Sequence, residues 1–426
     1  MITERPEPQP WSAPSAPGPV EATVQMPGSK SLTNRVLVLA ALARNPTTIL
    51  GPLRSRDTEL MAAGLRELGT TVLDQGSDWR IVPGPLTGPA HVDVGNAGTV
   101  MRFLLPLAGL ADGDVHFDGD PRARLRPLGP VVDALRDLGV DITAPRSSLP
   151  LTVHGRGWVL GGSVVVNASA SSQFVSALLL AAPRFADALE VRHRGGRLPS
   201  SSHVAMTATM LRRAGVLVEN VDHYTWRVEP GPVDLDRIRI EPDLSSAAPF
   251  LAAAVVTSGS VTVRGWPLRS TQAGEALRHL LPAFGARTEL HEGGLTVTGP
   301  ERISAVDLDL GDVGELTPVL TAIAAFAEGR SRFRGIAHLR HHETDRLAAL
   351  RTELTRLGGE VVEHPDGLEV RPHALHGGTF QTYDDHRLAM AGAVIGLRVP
   401  DVVLSDVQTT GKTFPGFADL WDGMLG

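Results

Sequence analysis

Cations, carboxylates and small hydroxyl residues stand at the mouths of apolar stretches throughout this chain, in patterns suited to holding phosphates and carboxylates. The run Pro27-Gly28-Ser29-Lys30-Ser31-Leu32-Thr33-Asn34-Arg35 is a glycine-containing loop that opens a helix. Lys30 stands at its start and Arg35 roughly one and a half turns later. A helix N-terminus carries unsatisfied N–H groups and partial positive charge, so both cations and the Ser31 hydroxyl can converge on one anion there. Gly95-Asn96-Ala97-Gly98-Thr99 repeats the idea with small residues that let backbone approach a ligand, and Gly98 is the strongest candidate among them. Ser171-Ser172-Gln173 offers hydroxyls and an amide, which orient a polar ligand without adding charge. Ser, Asn and Asp also cap ordinary helices. Lys30 and Arg35 are not cap residues, and the sequence around them is strongly apolar.

Further along, Arg122, Arg124 and Arg126 alternate within Pro121–Pro127, so an extended segment would show all three on one face, and Pro127 favours that geometry at Arg126. His342-Glu343-Thr344-Asp345-Arg346 and Asp384-Asp385-His386-Arg387 each put a histidine, an acid and an arginine near a helix start. The arginine fork is the best clamp for carboxylate and phosphate, although surface ion pairing is the commoner fate of such clusters. Two other patterns fail. Gly411-Lys412-Thr413 resembles the end of a nucleotide-binding loop, but the earlier glycine it needs falls at Asp406. His338, His341 and His342 lack the spacing of a helical zinc site. No metal or cofactor is called for.

The elements that must position these residues repeat. A helical stretch rich in Ala, Leu and Val occurs six times, about seventy residues apart, and repeats at a fixed period decide architecture. These stretches are Ser31–Ala43, Gly98–Ala111, Ser172–Ala182, Ser246–Val256, Leu316–Ala327 and Arg387–Leu397. Each is followed by an amphipathic helix closed by glycine: Leu60–Gly69, Val131–Gly139, Met206–Gly215, Ala276–Gly285 and Leu347–Gly358, with a degenerate copy near Ala418–Met424. Short β-branched runs such as Leu151–His154, Ser163–Val166, Ser260–Arg264 and Leu368–Arg371 read as strands between them. Each unit is βαβαββ in outline, with one helix buried all round.

At 426 residues the chain exceeds one core and fits two domains of three repeats. A hydrophobic share of 42% and mean hydropathy near zero describe a globular chain. The net charge of −7 argues against a general nucleic-acid binder, so any anion site must be local. With no cysteine, disulfides, thiolate metal sites and thiol catalysis are excluded. Neither a signal peptide nor a transmembrane run is apparent, which places the protein in the cytoplasm with no membrane partner. The first nineteen residues hold six prolines, so residues 1–21 are expected to be a flexible tail. The strand at Ala22–Met26 ends at the turn signal Pro27-Gly28, and a Pro-containing linker and strand fill Gly231–Asp243. The expected domains are therefore 28–241 and 22–27 together with 242–426, with two hinge-like crossings between them.

PGSKSLTNR at 27–35, GNAGT at 95–99, RPLGP at 126–130, SSQF at 171–174, HETDRL at 342–347, DDHRLAMAG at 384–392 and GKTFPGF at 411–417 resemble, in order, the signatures of the 5-enolpyruvylshikimate-3-phosphate synthase family. The match runs from about Ala22 to the C-terminus. The resemblance implies an α/β fold of two domains, each of three βαβαββ units, the inside-out α/β barrel of the enolpyruvyl transferases. It implies transfer of the enolpyruvyl group of phosphoenolpyruvate to the 5-hydroxyl of 3-phosphoshikimate, with release of phosphate, on the route to chorismate and the aromatic amino acids. The partners would be those two small molecules, and the enzyme a monomer.

By motif match, Lys30, Ser31, Arg35, Ser171, Ser172, Gln173, Ser200, Glu315 and His342 would hold 3-phosphoshikimate. Lys30, Gly98, Arg126, Gln173, Arg346, Arg387 and Lys412 would hold phosphoenolpyruvate, so that both halves contribute. Addition of a hydroxyl to an enol ether carbon needs a base at the hydroxyl and an acid at the methylene. Glu315 is the expected base and Glu343 the acid; Lys30 is a proton carrier with its pKa lowered by neighbouring Arg35, and His386 completes the catalytic set.

The chain departs from the family pattern at Glu315, often Asp, at His342, often Lys, at His338, often Asn, and at His203, often Tyr. The histidines would make binding sensitive to pH near neutrality. Space beside Gly98 implies sensitivity to glyphosate. The rival reading within the fold, UDP-N-acetylglucosamine 1-carboxyvinyltransferase, typically uses a loop cysteine, which this chain lacks. A second rival, a non-catalytic or RNA-binding relative, conflicts with the retained Lys30, Glu315, Glu343 and Lys412 and with the acidic net charge.

Overall fold

A computed structural model describes residues 8–426 and shows twelve helices among them. They are α1 (Lys30–Ala41), α2 (Arg56–Glu67), α3 (Gly98–Gly109), α4 (Gly129–Asp137), α5 (Gln173–Ala181), α6 (Ser201–Arg213), α7 (Ala248–Thr257), α8 (Leu277–Ala283), α9 (Thr317–Ala324), α10 (Arg346–Arg356), α11 (His386–Gly396) and α12 (Phe417–Leu425). The odd-numbered helices fall on the Ala/Leu/Val stretches and the even-numbered ones on the amphipathic stretches. Every residue of α3 is buried, as is Phe174–Ala181 of α5 and all of α7 up to Val256. At about 1.5–3 kcal/mol for each fully buried Leu or Val, these apolar helices contribute strongly to each core, together with the inward residues of the strands and amphipathic helices.

The chain divides into two compact units, one of residues 28–240 and one of 241–426 with the segment before Gly28. In the first unit each repeat builds one four-stranded sheet with the same pairing rule. Ala90–Asp93 runs parallel to Asp112–Asp118, which is antiparallel to Leu151–Arg156, itself antiparallel to Asp141–Thr143. Gly162–Val166, Leu189–His193, Thr225–Val228 and Val218–Asp222 repeat that order. In the remaining sheet the leading strand comes from the end of the unit: Arg237–Arg239 lies parallel to Thr47–Leu50. The second unit uses the same device at its own first sheet, where Glu21–Val24 pairs in parallel with Ser260–Val263. Its next sheet, led by Asp307–Asp309, follows the rule unaided.

The amphipathic helices α2, α4, α6, α8 and α10 run out at Gly69, Gly139, Gly215, Gly285 and Gly358, whose φ values are +97, +85, +83, +95 and +92°. At Gly69 a side chain is excluded twice, because a Cβ would stand 2.4 Å from the Pro85 carbonyl oxygen. Among the described residues no helix is long and apolar enough to cross a membrane.

The tail expected over residues 1–21 is corrected wherever the structure describes it; residues 1–7 lie outside the described residues. Trp11 and Ser12 form an antiparallel pair with Leu404 and Val403, and Ala13 N–H donates to Val402 O at 2.9 Å. Ala13 and Val20 are buried. The sixth repeat explains this: Val402–Leu404 runs on toward α12 without returning as a hairpin, so its open edge takes a strand from the start of the chain. Proline is tolerated on such an edge. The extended segment expected over Arg122–Arg126 is also corrected. Ala123–Leu125 is a 3₁₀ turn and only Arg126, before Pro127, keeps extended geometry, so the three arginines do not share a face.

Candidate active site

In the unit 28–240 the first turns of α1, α3 and α5 are bonded to one another. Asn34 Nδ2 of α1 donates to Thr99 Oγ1 of α3 at 2.7 Å, and Arg102 of α3 donates to Gln173 Oε1 of α5 at 2.7 Å. Lys30, Gly98 and Gln173 are the first residues of the three helices, and their N-cap residues Ser29, Ala97 and Ser172 make no side-chain cap. The first N–H of α5 is met instead by Ser171 Oγ at 3.3 Å. Gly98 is where the group closes: a Cβ there would lie 2.7 Å from an Arg126 Nη, 3.0 Å from an Arg102 Nη and 3.1 Å from Gln173 Oε1. Arg126 is anchored by donating to Asn96 O at 2.8 Å and to Asn96 Oδ1 at 3.2 Å. Arg102 also donates to Pro127 O. Lys30, Gly98, Arg126, Gln173, Ser171 and Ser172 thus belong to the linked ends of three helices, an arrangement that can take an anion.

The structure adds two facts about the cations of α1. Arg35 is 1% exposed and donates to Thr207 Oγ1 at 2.7 Å, Ser31 O at 3.0 Å and His203 O at 3.2 Å, over the Phe103 ring. It locks the first turn of α1 to α6. The neighbour of Lys30 Nζ is the carboxylate of Asp57, at 3.1 Å, so Asp57 takes the place assigned to Arg35 as the group beside Lys30. Ser200 precedes α6 in a left-handed conformation, φ +48°, and its carbonyl accepts from His203 N–H. Such strain at a non-glycine residue is characteristic of functional turns. Arg124 stays outside the group, paired with Asp118 at the surface.

In the second unit the starts of α7, α9, α10 and α11 are joined by charge. Glu315 lies in a 3₁₀ turn that runs into α9, and its Oε1 accepts from Ser245 Oγ at 2.8 Å. Arg387 donates to Ser245 O at 2.6 Å. Asp385 caps α11 through Arg387 N–H and accepts from Arg346 Nε at 2.7 Å, with both side chains almost wholly buried. Arg346 also donates to Glu343 at 3.1 Å and lies 3.1 Å from His342 Nδ1. Lys412 donates to the other oxygen of Glu343 at 2.8 Å. His386 Nδ1 stands 3.9 Å from Asp385. Burial disfavours the charge on Arg346, but Asp385, Glu343 and Glu315 outweigh it and hold the guanidinium pKa above its ordinary value. Glu315, Glu343, His342, Arg346, Arg387, His386 and Lys412 are therefore one network, an arrangement able to bind an anion and to carry protons between carboxylates.

Sequence reasoning missed Asp57, Arg102, Ser245 and the double role of Asp385. Arg102 had a usable signal, a single arginine one turn into an otherwise apolar helix that begins at Gly98. Asp57 had none, since an acid in the first turn after Ser55 is what any helix favours.

The family model described as EPSP synthase (3-phosphoshikimate 1-carboxyvinyltransferase) matches residues 14–421. The chain is 54% identical to a 3-phosphoshikimate 1-carboxyvinyltransferase of Kocuria rhizophila, over 98% of this chain and 96% of that protein. Among solved structures it resembles an EPSP synthase from Acinetobacter baumannii, with a TM-score of 0.81 at 23% identity and 98% of each chain covered. It likewise resembles the enolpyruvyl transferase NikO from Streptomyces tendae, with a TM-score of 0.78 at 16% identity and the same coverage. The two structures speak for the fold, an α/β architecture of repeated βαβαββ units, and the family match and the relative speak for descent. With its apolar helices opening onto paired cations and carboxylates, this chain belongs to the EPSP synthase family.

Proposed function

We infer that the protein is a 3-phosphoshikimate 1-carboxyvinyltransferase, transferring the enolpyruvyl group of phosphoenolpyruvate to the 5-hydroxyl of 3-phosphoshikimate and releasing phosphate. The observation that carries this is 54% identity across nearly the whole chain to a relative of that name. The finer assignments are our proposal. Lys30, Ser31, Arg35, Ser171, Ser172, Gln173, Ser200, Glu315 and His342 serve 3-phosphoshikimate; Lys30, Gly98, Arg126, Gln173, Arg346, Arg387 and Lys412 serve phosphoenolpyruvate. The enzyme works as a monomer in the cytoplasm, and glyphosate competes for the space beside Gly98.

In the proposed reaction the 5-hydroxyl oxygen attacks C2 of phosphoenolpyruvate. Glu315, held by Ser245 Oγ at 2.8 Å, takes the hydroxyl proton, and Glu343 delivers a proton to C3, giving a tetrahedral adduct. Loss of a C3 proton and of the phosphate from C2 then restores the double bond. Lys30 carries protons on the 28–240 side, and His386 stands beside Asp385 on the other. Arg126, Arg346, Arg387 and Lys412 stabilise charge as phosphate departs.

The test is phosphate release from phosphoenolpyruvate by the purified chain, with 3-phosphoshikimate and with UDP-N-acetylglucosamine as parallel acceptors. Release that depends on 3-phosphoshikimate is expected. Release with the nucleotide sugar alone, or with neither acceptor, defeats the reading.

A further inference from the structure

Helix α10 grips the segment ahead of α11 at two places. At its first residue Arg346 holds Asp385, and about two turns further on stands Glu353, a fully buried carboxylate that the proposed chemistry does not use. Buried carboxylates are costly unless their oxygens are satisfied, and both of these are. Glu353 Oε2 accepts from Gln381 N–H at 2.9 Å, and Oε1 accepts from the Tyr383 hydroxyl and from Arg356 at 3.2 Å. The residues so held lead directly into Asp385.

That segment needs holding. Tyr383 and Asp384 are consecutive non-glycine residues in the left-handed region, with φ of +52 and +56°. Side chains make this conformation unfavourable, and it persists only where the surroundings impose it. Thr382 N–H donates to Ser405 Oγ at 3.0 Å, and Asp385 N–H closes the turn on Thr382 O at 2.8 Å. The turn brings Asp385 to the point where it caps α11 and receives Arg346, and the next residues are His386 and Arg387. Arg387 in turn reaches Ser245 O, the residue that hydrogen-bonds Glu315.

We propose that Glu353, acting through Tyr383 and Gln381, is a positioning residue for phosphoenolpyruvate. It imposes the left-handed turn that sets Asp385, and through Asp385 the two arginines Arg346 and Arg387. The inference rests on the assignment of those arginines to phosphoenolpyruvate. Loosening the turn moves the guanidinium groups of this unit while leaving Ser31, Arg35, Ser171, Ser172 and Ser200 of the other unit, which serve 3-phosphoshikimate alone, unaltered, so the effect falls mainly on phosphoenolpyruvate.

Steady-state kinetics of the full chain carrying Tyr383→Phe or Glu353→Gln tests this. Loss of a hydrogen bond to a charged group should raise the KM for phosphoenolpyruvate by roughly threefold to tenfold and leave the KM for 3-phosphoshikimate within about twofold. The two substitutions combined should change the KM little more than either alone, because they break one network. Equal rises in both KM values overturn the inference. So does a fall in maximal rate with both KM values unchanged, the signature of a smaller folded fraction. Should Glu353→Gln fail to fold, Tyr383→Phe carries the test, since it removes one oxygen from a side chain that is 38% exposed. Wild-type protein without 3-phosphoshikimate-dependent phosphate release sinks the reaction itself; an active wild type beside a Tyr383→Phe variant with an unchanged KM for phosphoenolpyruvate sinks this inference alone.

Discussion

The two units build their clusters from the same part of the same repeat, the mouth of the apolar helices, yet they answer their cations differently. In residues 28–240 Lys30 is paired with Asp57, but Arg126 is held by the side-chain and backbone oxygens of Asn96. In residues 241–426 Arg346 is held by Asp385 and Glu343, and Lys412 by Glu343. Neutral acceptors orient a guanidinium and leave its charge for an incoming anion. Carboxylates neutralise it, so an anion arriving at the second cluster must compete with ion pairs already made. On the proposed assignment, Arg126 would meet an anion with its charge unspent, whereas an anion at Arg346 or Lys412 would displace a carboxylate, which would then be available for proton transfer.

The largest expected effect comes from breaking a pair in the second cluster. Asp385→Asn leaves Arg346, 3% exposed, without its main counter-charge, and loss of one partner of a buried pair costs about 3–5 kcal/mol. Urea unfolding should show that loss. Arg126→Met in the first cluster removes an arginine with no carboxylate among its bonds to Asn96, so stability should change by only about 1 kcal/mol, while kcat/KM falls roughly tenfold to a hundredfold. Similar stability losses in both variants would erase the distinction between the clusters.

Gly98→Ala sharpens the comparison from the steric side. The new Cβ meets the ends of Arg126, Arg102 and Gln173 at 2.7–3.1 Å, all flexible side chains, so the fold accommodates it by moving those groups. Gly98 is the first residue of α3, so the helix-interior advantage of alanine over glycine, about 0.8–1.0 kcal/mol, applies there only in part. We expect unchanged or slightly raised thermal stability, a KM for phosphoenolpyruvate raised about tenfold, an effect equivalent to about 1.4 kcal/mol, and weaker inhibition by glyphosate. Unaltered KM and inhibition would show that the space beside Gly98 is not where the ligand lies.

Much of this was legible in the sequence because the governing patterns are periodic. Ala, Leu and Val at helical spacing mark α1, α3 and α5, and a glycine after an amphipathic run marks the end of α2, because only glycine fits Gly69 against the Pro85 carbonyl. The motif residues at helix starts, Lys30, Gly98 and Gln173, were legible for the same reason. What escaped has no period. Trp11-Ser12 is too short to alternate, and its partner strand lies almost four hundred residues away, a long-range pairing that no local window contains. The alternation of Arg122, Arg124 and Arg126 was misleading because a 3₁₀ turn shows no difference from a strand over so few residues. The anchoring of Arg35 was not legible either, because it depends on α6, far along the chain, which supplies Thr207 and His203.

The smallest expected effect concerns pH and the turn before α11. Burial, followed by the hydrogen bond to Glu353, pushes the Tyr383 hydroxyl pKa from 10.0 up to about 12, with Arg356 acting in the opposite sense. A pKa raised on folding means that the folded state holds the proton more tightly than the unfolded chain. Its contribution to stability is therefore fully present below about pH 10 and is lost as pH rises toward 12. Tyr383→Phe has no proton to lose. The variant should be less stable than wild type at pH 8, and the gap between their urea midpoints should narrow between pH 10 and about 12, while groups common to both chains cancel in the difference. A gap that stays constant across that range would mean that the phenol is not bonded to Glu353 in solution, and the turn would then be held by Gln381 and Ser405 alone.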